Sequence, residues 1–478
     1  MPTTTPLFLC IDQGGHASRA LIIDARGVVC ARAERPVTTR QPKPDWVEHD
    51  AEELVDSVRA AMEETLRALG PNADRIVAAG LATQRSSIVC WDRAGGAALS
   101  PVISWQDRRA HAWLKQFTPH QRDVHARTGL MLSAHYGASK LRWCLDHFPA
   151  VQRAAAAGTL ACGPLASFLL FRLLDARPLL VDPSNAGRTL VWNLAARDWD
   201  EHLLALFGIE RALLPACVPT RHAYGTLRPG SRDVPVTIMN GDQSAALFAA
   251  GAPDSKTAYI NIGTGAFVLH AASQRPTSDR LLSSIAYSDD RGATYLLEGT
   301  VNGAGSALVW IGETLDIENV ERKLDEWMKQ ESAPPLFLNG ISGLGAPFWM
   351  ADFASRFEGQ GTAEQQVVAV AESIVFLLQA NLDEFARSGV TFSRIVASGG
   401  LAQSSALCQR LADLNGLPLS RSAEPEATGM GLAFLLAGRP RDWPRPPVTD
   451  FRPLPNTPLH ERYARWRALM DAAVSSTA

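Results

Sequence analysis

The chain carries one local pattern twice, and this repetition constrains its fold more than any other feature. Residues 7–23 predict a strand, a turn with two adjacent glycines, and a returning strand. Residues 257–271 repeat the design around a Gly-Thr-Gly turn, roughly 250 positions later. Two copies indicate two related domains that face each other, with one glycine turn from each gripping a single polyphosphate. The alternative interpretation is a pair of unrelated hairpins.

The length and charge of the chain set broad limits. At 478 residues it is too long for one hydrophobic core, and its 46% hydrophobic content supplies material for large cores. We expect an N-terminal domain over residues 1–251 and a C-terminal domain over 252–478. Lys and Arg number 46 against 49 Asp and Glu, which gives a net charge of −3. This near balance argues against nucleic acid or an anionic membrane as the main partner, because either favours a basic excess.

Several features of the sequence predict a cytoplasmic protein. The longest uncharged run, residues 154–171, is broken by glycines and a proline, so we expect two buried segments and not a membrane span. The first residues lack the charged region and cleavage site of a signal peptide. The 7 cysteines are scattered without C-x-x-C spacing, which is typical of reduced thiols. The 11 histidines form no zinc-like cluster, so no structural zinc is expected.

The first glycine turn is preceded by an acid, Asp12. Glycines there let backbone N–H groups approach a ligand, and an acid beside such a cradle suits a metal–nucleotide complex. A plain β-turn is the alternative. A further pair, Gly399-Gly400, lies between a predicted strand and a predicted helix, where helix N–H groups can bind an anion.

A second acid, Asp242, lies between a predicted strand over residues 234–239 and an Ala-rich helical pattern. A carboxylate at this point can cap the first turn of the helix, which is the simplest interpretation. It can also be held at the edge of a cleft, where it takes a proton from a hydroxyl. These residues alone leave both interpretations open.

Polar or aromatic residues also end two other predicted strands. Arg85 follows the strand over residues 75–83, and Trp105 ends the strand over 101–105. Ligands usually bind at such strand ends in α/β sheets, although a surface arginine and a core tryptophan would look the same. Helices are predicted over residues 50–69, most of 111–171, 304–314, 317–331, 363–387, 407–414, 426–437 and 459–473, with proline-rich loops over 36–47 and 440–458.

Taken in order, these motifs resemble the series that marks the FGGY family of carbohydrate kinases. Within that family the pattern is closest to that of glycerol kinases. The resemblance covers nearly the whole chain with compatible spacing, so it is far more specific than any single motif. The matching segments are Asp12-Gln13-Gly14, Trp46-Val47-Glu48-His49-Asp50, Thr83-Gln84-Arg85, Trp105-Gln106-Asp107-Arg108-Arg109, Gly241-Asp242-Gln243, Gly263-Thr264-Gly265, Gly343 to Trp349 and Ser398-Gly399-Gly400.

The resemblance implies an α/β fold with two actin-like ATPase (ribonuclease H-like) domains around a central cleft. It implies ATP and Mg²⁺ in the cleft and a sugar or polyol hydroxyl as phosphoryl acceptor; we also expect a homodimer. Asp242 would be the general base. Asp242 would also hold Mg²⁺, together with Asp12, which would bind the ion through water. The expected nucleotide and phosphate contacts are Asp12, Gly14, Gly15, Gly263, Thr264, Gly305, Gly399 and Gly400. The expected acceptor pocket is lined by Arg85, Ser86, Trp105, His135, Asp242, Gln243 and Phe267.

The sequence departs from the glycerol kinase pattern at several positions. Ser86 stands where that pattern has an acid that binds substrate hydroxyls, and His135 stands where it has a tyrosine. Two threonines of the pattern become Gly15 and His16, and an Asp-Pro becomes Met350-Ala351. Losing a buried carboxylate leaves the donors of the substrate unpaired. We therefore expect an acceptor other than glycerol, such as a larger polyol or a ketose. His16 either donates to ATP or points to solvent.

Two other classes of function fit the same fold. One is a nucleotide-binding regulator that has lost turnover, and the other is a scaffold protein. The presence of both Asp12 and Asp242 argues against the first, because decay would be expected to remove one of them.

Overall fold

The computed structural model describes residues 5–230, 232–330 and 333–476. The predicted end of one helix, residue 331, therefore lies outside the described residues. So do residues 1 and 478, the outer ends of the two predicted domains. Strands, in chain order, are β1 Leu7–Gln13, β2 Ala17–Asp24, β3 Val29–Pro36, β4 Arg40–Lys43, β5 Trp46–His49, β6 Ile76–Thr83, β7 Ile88–Asp92, β8 Val102–Ile103, β9 Leu160–Pro164, β10 Leu180–Val181, β11 Trp192–Asn193, β12 Asp198–Trp199, β13 Ala216–Cys217, β14 Arg221–Leu227, β15 Val234–Gly241, β16 Thr257–Ile262, β17 Ala266–Ala272, β18 Leu282–Asp289, β19 Gly292–Val301, β20 Leu336–Leu338, β21 Arg356–Glu358, β22 Arg394–Ser398, β23 Leu419–Ser422 and β24 Val448–Phe451.

The helices surround these strands, and most of the predicted ones are present within a few residues. In chain order they are α1 Ala51–Leu69, α2 His111–Leu114, α3 Gln121–Thr128, α4 Gly137–His147, α5 Pro149–Ala156, α6 Leu165–Leu173, α7 Pro183–Ala186, α8 Glu201–Phe207, α9 Asp242–Ala246, α10 Gly305–Leu315, α11 Val320–Gln330, α12 Ala363–Arg387, α13 Ser405–Asn415, α14 Ala427–Leu436 and α15 Thr457–Ser475.

The first half of the chain is built on a six-stranded sheet of order β14-β15-β6-β1-β2-β3. Strands β1 and β2 form the predicted hairpin, and β1, β6 and β15 run parallel. Thr83 of β6 pairs with both Gln13 and Gly241, so these three strands end together. The residues that follow them meet at one edge of the sheet, as expected for an α/β site.

The second half repeats this arrangement in a seven-stranded sheet of order β18-β19-β17-β16-β22-β23-β24. Strands β16 and β17 form the second predicted hairpin, and β16, β22 and β23 run parallel. Asn261 pairs with Ser398, so the second glycine turn and the Gly-Gly pair after β22 meet at one edge. This duplicated α/β architecture is the one that the repeated sequence pattern predicts. The boundary at residues 251 and 252 stays a prediction.

Several strands were not predicted, and two loop predictions were wrong. The proline-rich stretch 36–47 contains β4 and the start of β5, and the stretch 440–458 contains β24. Strand β9 interrupts the stretch predicted as mainly helical, because it pairs with β7 along the whole of its length. Strands β14, β18 and β19 are likewise stabilised by pairing, β14 with β15, β18 with β19 and β19 with β17, and their own sequences do not reveal it.

Helix α12 lies within the second half, whereas α14 connects the two halves. Helix α12 lies in the core of the second half; it is long and apolar enough to span a membrane, but 83% of its most apolar window is buried, which is typical of a core helix. Helix α14 lies between β23 and β24 of the second sheet in the chain, yet it packs against β1, β6 and α9 of the first half. A Cβ at Gly431 would lie 1.8 Å from the carbonyl oxygen of Ala245, so only glycine permits this approach. Elements of both halves therefore meet beside the end of β15.

Candidate active site

Asp242 lies where strand β15 passes directly into the short helix α9. The helix spans only five residues, its N-cap is Gly241, and no side chain caps it. Asp242 is instead the first helical residue, and one of its oxygens accepts a hydrogen bond from the Gln243 amide at 2.7 Å. The interpretation of Asp242 as a helix cap was therefore wrong, because the helix already begins at Asp242, one residue earlier than a cap at this position would allow.

A buried network holds the turn that precedes Asp242. The Gly241 amide donates to the Ser184 hydroxyl at 2.7 Å and to the Asn240 side chain at 2.9 Å. The Ser184 hydroxyl in turn donates to Asp182, whose side chain caps α7. Burial raises the pKa of Asp182 to about 6, against the hydrogen bonds from Ser184 and Asn185. The backbone under Asp242 is thus fixed by side chains and not by the helix alone.

Arg85 lies over this turn, as the parallel strand ends require. Its Nε is 4.0 Å from the Asp242 carboxylate, and its other nitrogens bind the Gln243 side-chain oxygen and the Ser244 hydroxyl. A Cβ at Gly241 would lie 2.4 Å from the Arg85 Cδ, so the glycine makes room for the guanidinium group. The Gln243 side chain is therefore held against Arg85, and the role of both residues in the acceptor pocket stays a prediction.

The negative charges of Asp12 and Asp242 are only partly compensated by the arginines near them. Asp12 is 8% exposed, and burial, followed by the charge of Asp242, raises its pKa to about 7 against the opposing effects of Arg19 and Thr428. Arg19 is 3.9 Å away, and Asp12 Oδ1 is buried without a hydrogen-bond partner. Burial also raises the pKa of Asp242, while Arg85 opposes the shift. This pair of oxygen donors fits a hard cation such as Mg²⁺.

The protein alone does not complete a metal site. Within the ranges that the structure describes, no group of three or more His, Cys, Asp or Glu side chains could hold a metal ion. A cation beside Asp12 would thus need water or phosphate oxygens for most of its ligands, which is usual for Mg²⁺.

The glycines predicted to contact phosphate divide into two groups. A Cβ at Gly15 or Gly400 would meet nothing within 4 Å, and one at Gly263 would meet only atoms at 3.8 Å or beyond. At Gly14 the nearest atom, the Ala17 carbonyl oxygen, is 3.3 Å away. Internal packing does not demand glycine at these open positions, so a cradle that admits a ligand is a reason to keep them free of side chains.

Gly305 and Gly399 are constrained by the protein itself. The Gly305 amide donates to the Gly263 carbonyl at 2.9 Å, and its Cβ would lie 2.7 Å from that oxygen. Gly399 has φ +97° and a Cβ there would lie 2.5 Å from the Ile262 carbonyl oxygen. The Thr264 carbonyl accepts from the amides of Ala304 and Ser306. These contacts fix the second glycine turn, and nucleotide contacts at Gly305, Gly399 and Thr264 stay predictions.

Residues far apart in the sequence form one wall of the predicted acceptor pocket. Lys140 Nζ donates to the carbonyl oxygens of Ser86 at 3.0 Å and His135 at 2.5 Å. The Trp105 and His135 rings are in edge contact with centroids 5.6 Å apart, and the Trp105 amide donates to the Ser87 hydroxyl. Ser86 and His135 are the two pocket positions that depart from the glycerol kinase pattern. The same lysine therefore binds the backbone carbonyls of both.

The side chains of this wall have unusual environments. Ser86 has φ +64°, is 2% exposed, and its hydroxyl oxygen is buried without a partner. Burial, and then the charges of Lys140 and Arg108, hold the pKa of His135 well below its usual value, so its imidazole is neutral. Burial likewise holds the pKa of Lys140 well below its usual range.

Phe267 and His16 are less closely connected to this site. Phe267 lies on β17, opposite Thr300 and Asn261, and within the described part of the chain its ring contacts neither Trp105 nor His135. Its place in the pocket stays a prediction. His16 is exposed at the tip of the first glycine turn, which agrees with the solvent-facing alternative.

An ion pair behind the pocket, between Arg188 and Glu298, was not predicted from the sequence. Arg188 Nη2 donates to Glu298 at 2.6 Å, and the Ser284 hydroxyl also donates to this carboxylate. Arg188 and Arg85 lower the pKa of Glu298 against its burial, and Tyr136 bonds Arg188. The sequence feature that could have indicated this ion pair is Glu298, the one charged residue of strand β19.

Comparisons with known proteins agree with this geometry. The model of the FGGY family of carbohydrate kinases, N-terminal domain, matches residues 7–249, and that of the C-terminal domain matches residues 258–438. A glycerol kinase of Bordetella parapertussis is 34% identical over 451 residues, covering 91% of this chain and 88% of that enzyme. Glycerol kinase 1 of Pseudomonas aeruginosa is 32% identical over 438 residues, covering 89% of each chain.

Solved structures share the whole fold. The glycerol kinase of Plasmodium falciparum with ADP superposes with a TM-score of 0.88 at 23% identity, covering 98% of each chain. The gluconate kinase of Lactobacillus acidophilus superposes with a TM-score of 0.86 at 20% identity, covering 99% of this chain and 98% of that one. The chain belongs to the FGGY family of carbohydrate kinases and is an ATP-dependent kinase of a sugar or polyol.

Proposed function

We propose that this kinase transfers the γ-phosphate of ATP to a hydroxyl of a sugar or polyol other than glycerol, with Asp242 as the general base. The observation that carries the proposal is the position of Asp242 at the shared end of three parallel strands, beside Arg85 and near Asp12. An acid with a raised pKa that keeps most of its acceptor capacity free is suited to take a proton from an alcohol.

The transfer is a single displacement at phosphorus. The acceptor oxygen forms a bond to the γ-phosphorus while the bond from that phosphorus to the β–γ bridging oxygen breaks, and ADP leaves with the electron pair. The hydroxyl proton passes to an oxygen of Asp242. A positioned base contributes on the order of 10²–10⁴-fold, and the rest of the rate enhancement comes from positioning and charge neutralisation. Arg85 orients the Asp242 carboxylate from one side.

The unpartnered oxygen of Asp12 and the Asp242 carboxylate are the protein groups that would hold Mg²⁺. When bound, the ion would neutralise charge on the phosphates. The glycine turns at Gly14-Gly15 and at Gly263-Thr264, with Gly400, are proposed to hold the nucleotide, because the space beside Gly15, Gly263 and Gly400 is open and a ligand can approach their backbone there. A homodimer, a cytoplasmic location and the absence of nucleic-acid or membrane partners stay predictions from the sequence.

The acceptor pocket supports a substrate other than glycerol. Ser86 offers a hydroxyl where a glycerol kinase pattern has a carboxylate, and His135 offers a neutral imidazole where that pattern has a phenol. A short Ser86 side chain also leaves more room than a glutamate. The relatives of this fold are named for glycerol, gluconate and xylulose, so the fold by itself leaves the acceptor open.

The substitution Asp242→Asn tests the role of the base. It keeps the shape and the hydrogen bond to the Gln243 amide but removes the proton acceptor, so transfer should fall by about 10²–10⁴-fold. The affinity for ATP, measured by calorimetry, should stay close to that of the wild type. The exposed acid Asp290 provides a matched control, because Asp290→Asn makes the same change of charge outside the site.

Turnover of Asp242→Asn at the wild-type rate would refute Asp242 as the base. A wild-type protein that binds ATP but transfers phosphate to none of a panel of polyols, ketoses and sugar acids would instead favour a nucleotide-binding regulator.

A further inference from the structure

We propose that the acceptor carries a carboxylate beside its hydroxyls, as an aldonic or other polyhydroxy acid does, and that Ser86, His135 and Arg108 select it. The inference rests on the proposed kinase function and specifies its substrate class. The hydroxyl of the acid is the nucleophile, and its carboxylate is the group that the pocket recognises.

Hydrogen-bond donors are in excess in and behind the predicted acceptor pocket. The Ser86 hydroxyl and the Arg188 Nε are both buried without a partner. Among the residues that the structure describes, neither ring nitrogen of His135 makes a hydrogen bond, although the ring is only partly buried. A neutral imidazole always offers one N–H, and a hydroxyl offers one O–H. A carboxylate accepts several hydrogen bonds and donates none, so it complements this set better than a further hydroxyl does.

Positive charge is also in excess on the same wall, and Arg108 and Arg85 carry most of it, because burial holds the pKa of Lys140 well below its usual range. In the described ranges, neither Lys140 nor Arg108 has a carboxylate within 4.0 Å, and their nitrogens bind backbone carbonyls. Arg108 donates to the carbonyl of Trp105, whose ring contacts His135. The Arg85 Nε lies 4.0 Å from the Asp242 carboxylate, which is a long distance for an ion pair.

The neighbouring charges do not cancel this excess. Arg109 is paired with Asp107 at 2.7 Å, and Glu298 is taken by Arg188. Asp242 and Asp12 lie near each other at the strand ends, where the phosphoryl group is transferred. Burial is the main cause of the low pKa of His135, and the charges of Lys140, Arg108, Arg188 and Arg85 lower it further. An anionic group beside His135 would compensate charge that the protein leaves unpaired.

The wall is also rigid enough to discriminate. Lys140 is 1% exposed and holds the carbonyls of both Ser86 and His135, so neither can move away independently. Ser86 is kept in the left-handed region at φ +64°, a conformation that persists only when its surroundings impose it. Recognition by fixed donors penalises a ligand that leaves them unpaired.

Matched pairs of acceptors test the proposal directly. Glycerol and glycerate, xylitol and xylonate, and glucitol and gluconate differ only in a terminal CH₂OH or carboxylate. We expect the acid of the preferred pair to bind at least about tenfold more tightly in calorimetry without nucleotide, and to show a correspondingly higher kcat/KM with ATP. Raising the ionic strength should weaken binding of the acid and leave binding of the polyol unchanged. Equal or tighter binding of the neutral members, or binding of neither, overturns the proposal.

Two variants locate the selectivity. Ser86→Glu places a carboxylate on the wall and should remove the preference for the acid, whereas Ser86→Ala deletes only the hydroxyl and should reduce it. Arg108 is exposed, so Arg108→Gln should fold normally and lower the affinity for the acid by about tenfold without changing that for the polyol. Arg153→Gln, on the exposed face of α5, is the matched control.

Binding and transfer separate this inference from the kinase proposal. Selective binding of the acid without any phosphoryl transfer would support the inference and refute the kinase mechanism. Transfer to neutral acceptors with no binding of the acids would support the kinase mechanism and overturn the inference. An Arg108→Gln variant that binds the acid as tightly as the wild type would also overturn it.

Discussion

The ion pair between Arg188 and Glu298 joins the two halves of the chain behind the active site. Arg188 follows α7 in the first half, and Glu298 lies on β19 in the sheet of the second half. Their side chains are 6% and 1% exposed. We predict that Arg188→Met is strongly destabilising, because it leaves the Glu298 carboxylate buried with only the Ser284 hydroxyl and the more distant Arg85 to stabilise it.

The size of the effect follows from the cost of an unpaired buried charge. Removing one partner of such a pair costs about 3–5 kcal/mol, whereas replacing both by apolar residues of similar size is often neutral or stabilising. Arg188→Met and Glu298→Leu should each lower the free energy of unfolding by about that amount, and the double variant should regain most of the loss. The regained part is the coupling energy of the pair in a double-mutant cycle.

Guanidinium unfolding of the wild type, both single variants and the double variant measures this cycle, with each transition analysed separately because the chain has more than one core. The pH dependence gives an independent check. The pKa of Glu298 is lowered below its ordinary value of 4.5 in the folded protein. The pair therefore stabilises fully above that value and loses its effect as the pH falls through the lower folded pKa. Additive losses in the double variant, or equal acid sensitivity of the wild type and the double variant, would refute the reasoning.

Two further substitutions test how the turns around the site are held. Gly399→Ala should lower the free energy of unfolding by about 1–3 kcal/mol, because φ is +97° and the Cβ would lie 2.5 Å from the Ile262 carbonyl oxygen. Gly400→Ala, where the space is open, should leave stability within about 0.5 kcal/mol of the wild type and weaken ATP binding; equal stability of the two variants would contradict this. Ser184→Ala removes one of the two acceptors of the Gly241 amide and the hydroxyl that donates to buried Asp182, so it should lower the free energy of unfolding by about 1–3 kcal/mol and lower kcat, with the affinity for ATP unchanged. An unchanged kcat would show that Ser184 does not position the turn.

The two hairpins and their glycine turns were predictable because they depend on local patterns. Strand β1 and strand β16 each form an apolar run that ends in a glycine turn, and both are present as expected. Helix α12 has the predicted bounds, residues 363–387, because its apolar positions recur with helical period. The meeting of Asp12, Arg85 and Asp242 then follows from the rule that ligands bind at the ends of parallel strands.

The wall of the acceptor pocket and the ion pair could not be predicted in the same way. Lys140 binds the carbonyl of Ser86, which lies 54 positions away in the sequence, and Arg188 and Glu298 are 110 positions apart. No periodic pattern connects residues at such distances. The signals that remain are single charged residues in apolar surroundings, such as Glu298 in β19, and these identify one partner but not the other.

The error about Asp242 bears on its chemistry. A carboxylate that caps a helix accepts several backbone N–H groups, and these bonds favour its charged form and lower its pKa. Among the described residues, the Gln243 amide is the only group that donates a hydrogen bond to Asp242, and α9 is too short to contribute a large dipole. Burial then raises the pKa of Asp242 against the effect of Arg85, which makes the carboxylate a stronger base than a cap would be. Because Ser184 and Asn240 bind the Gly241 amide, the turn keeps its position without using the oxygens of Asp242. The oxygens that a cap would have occupied are therefore free to accept a proton from the substrate.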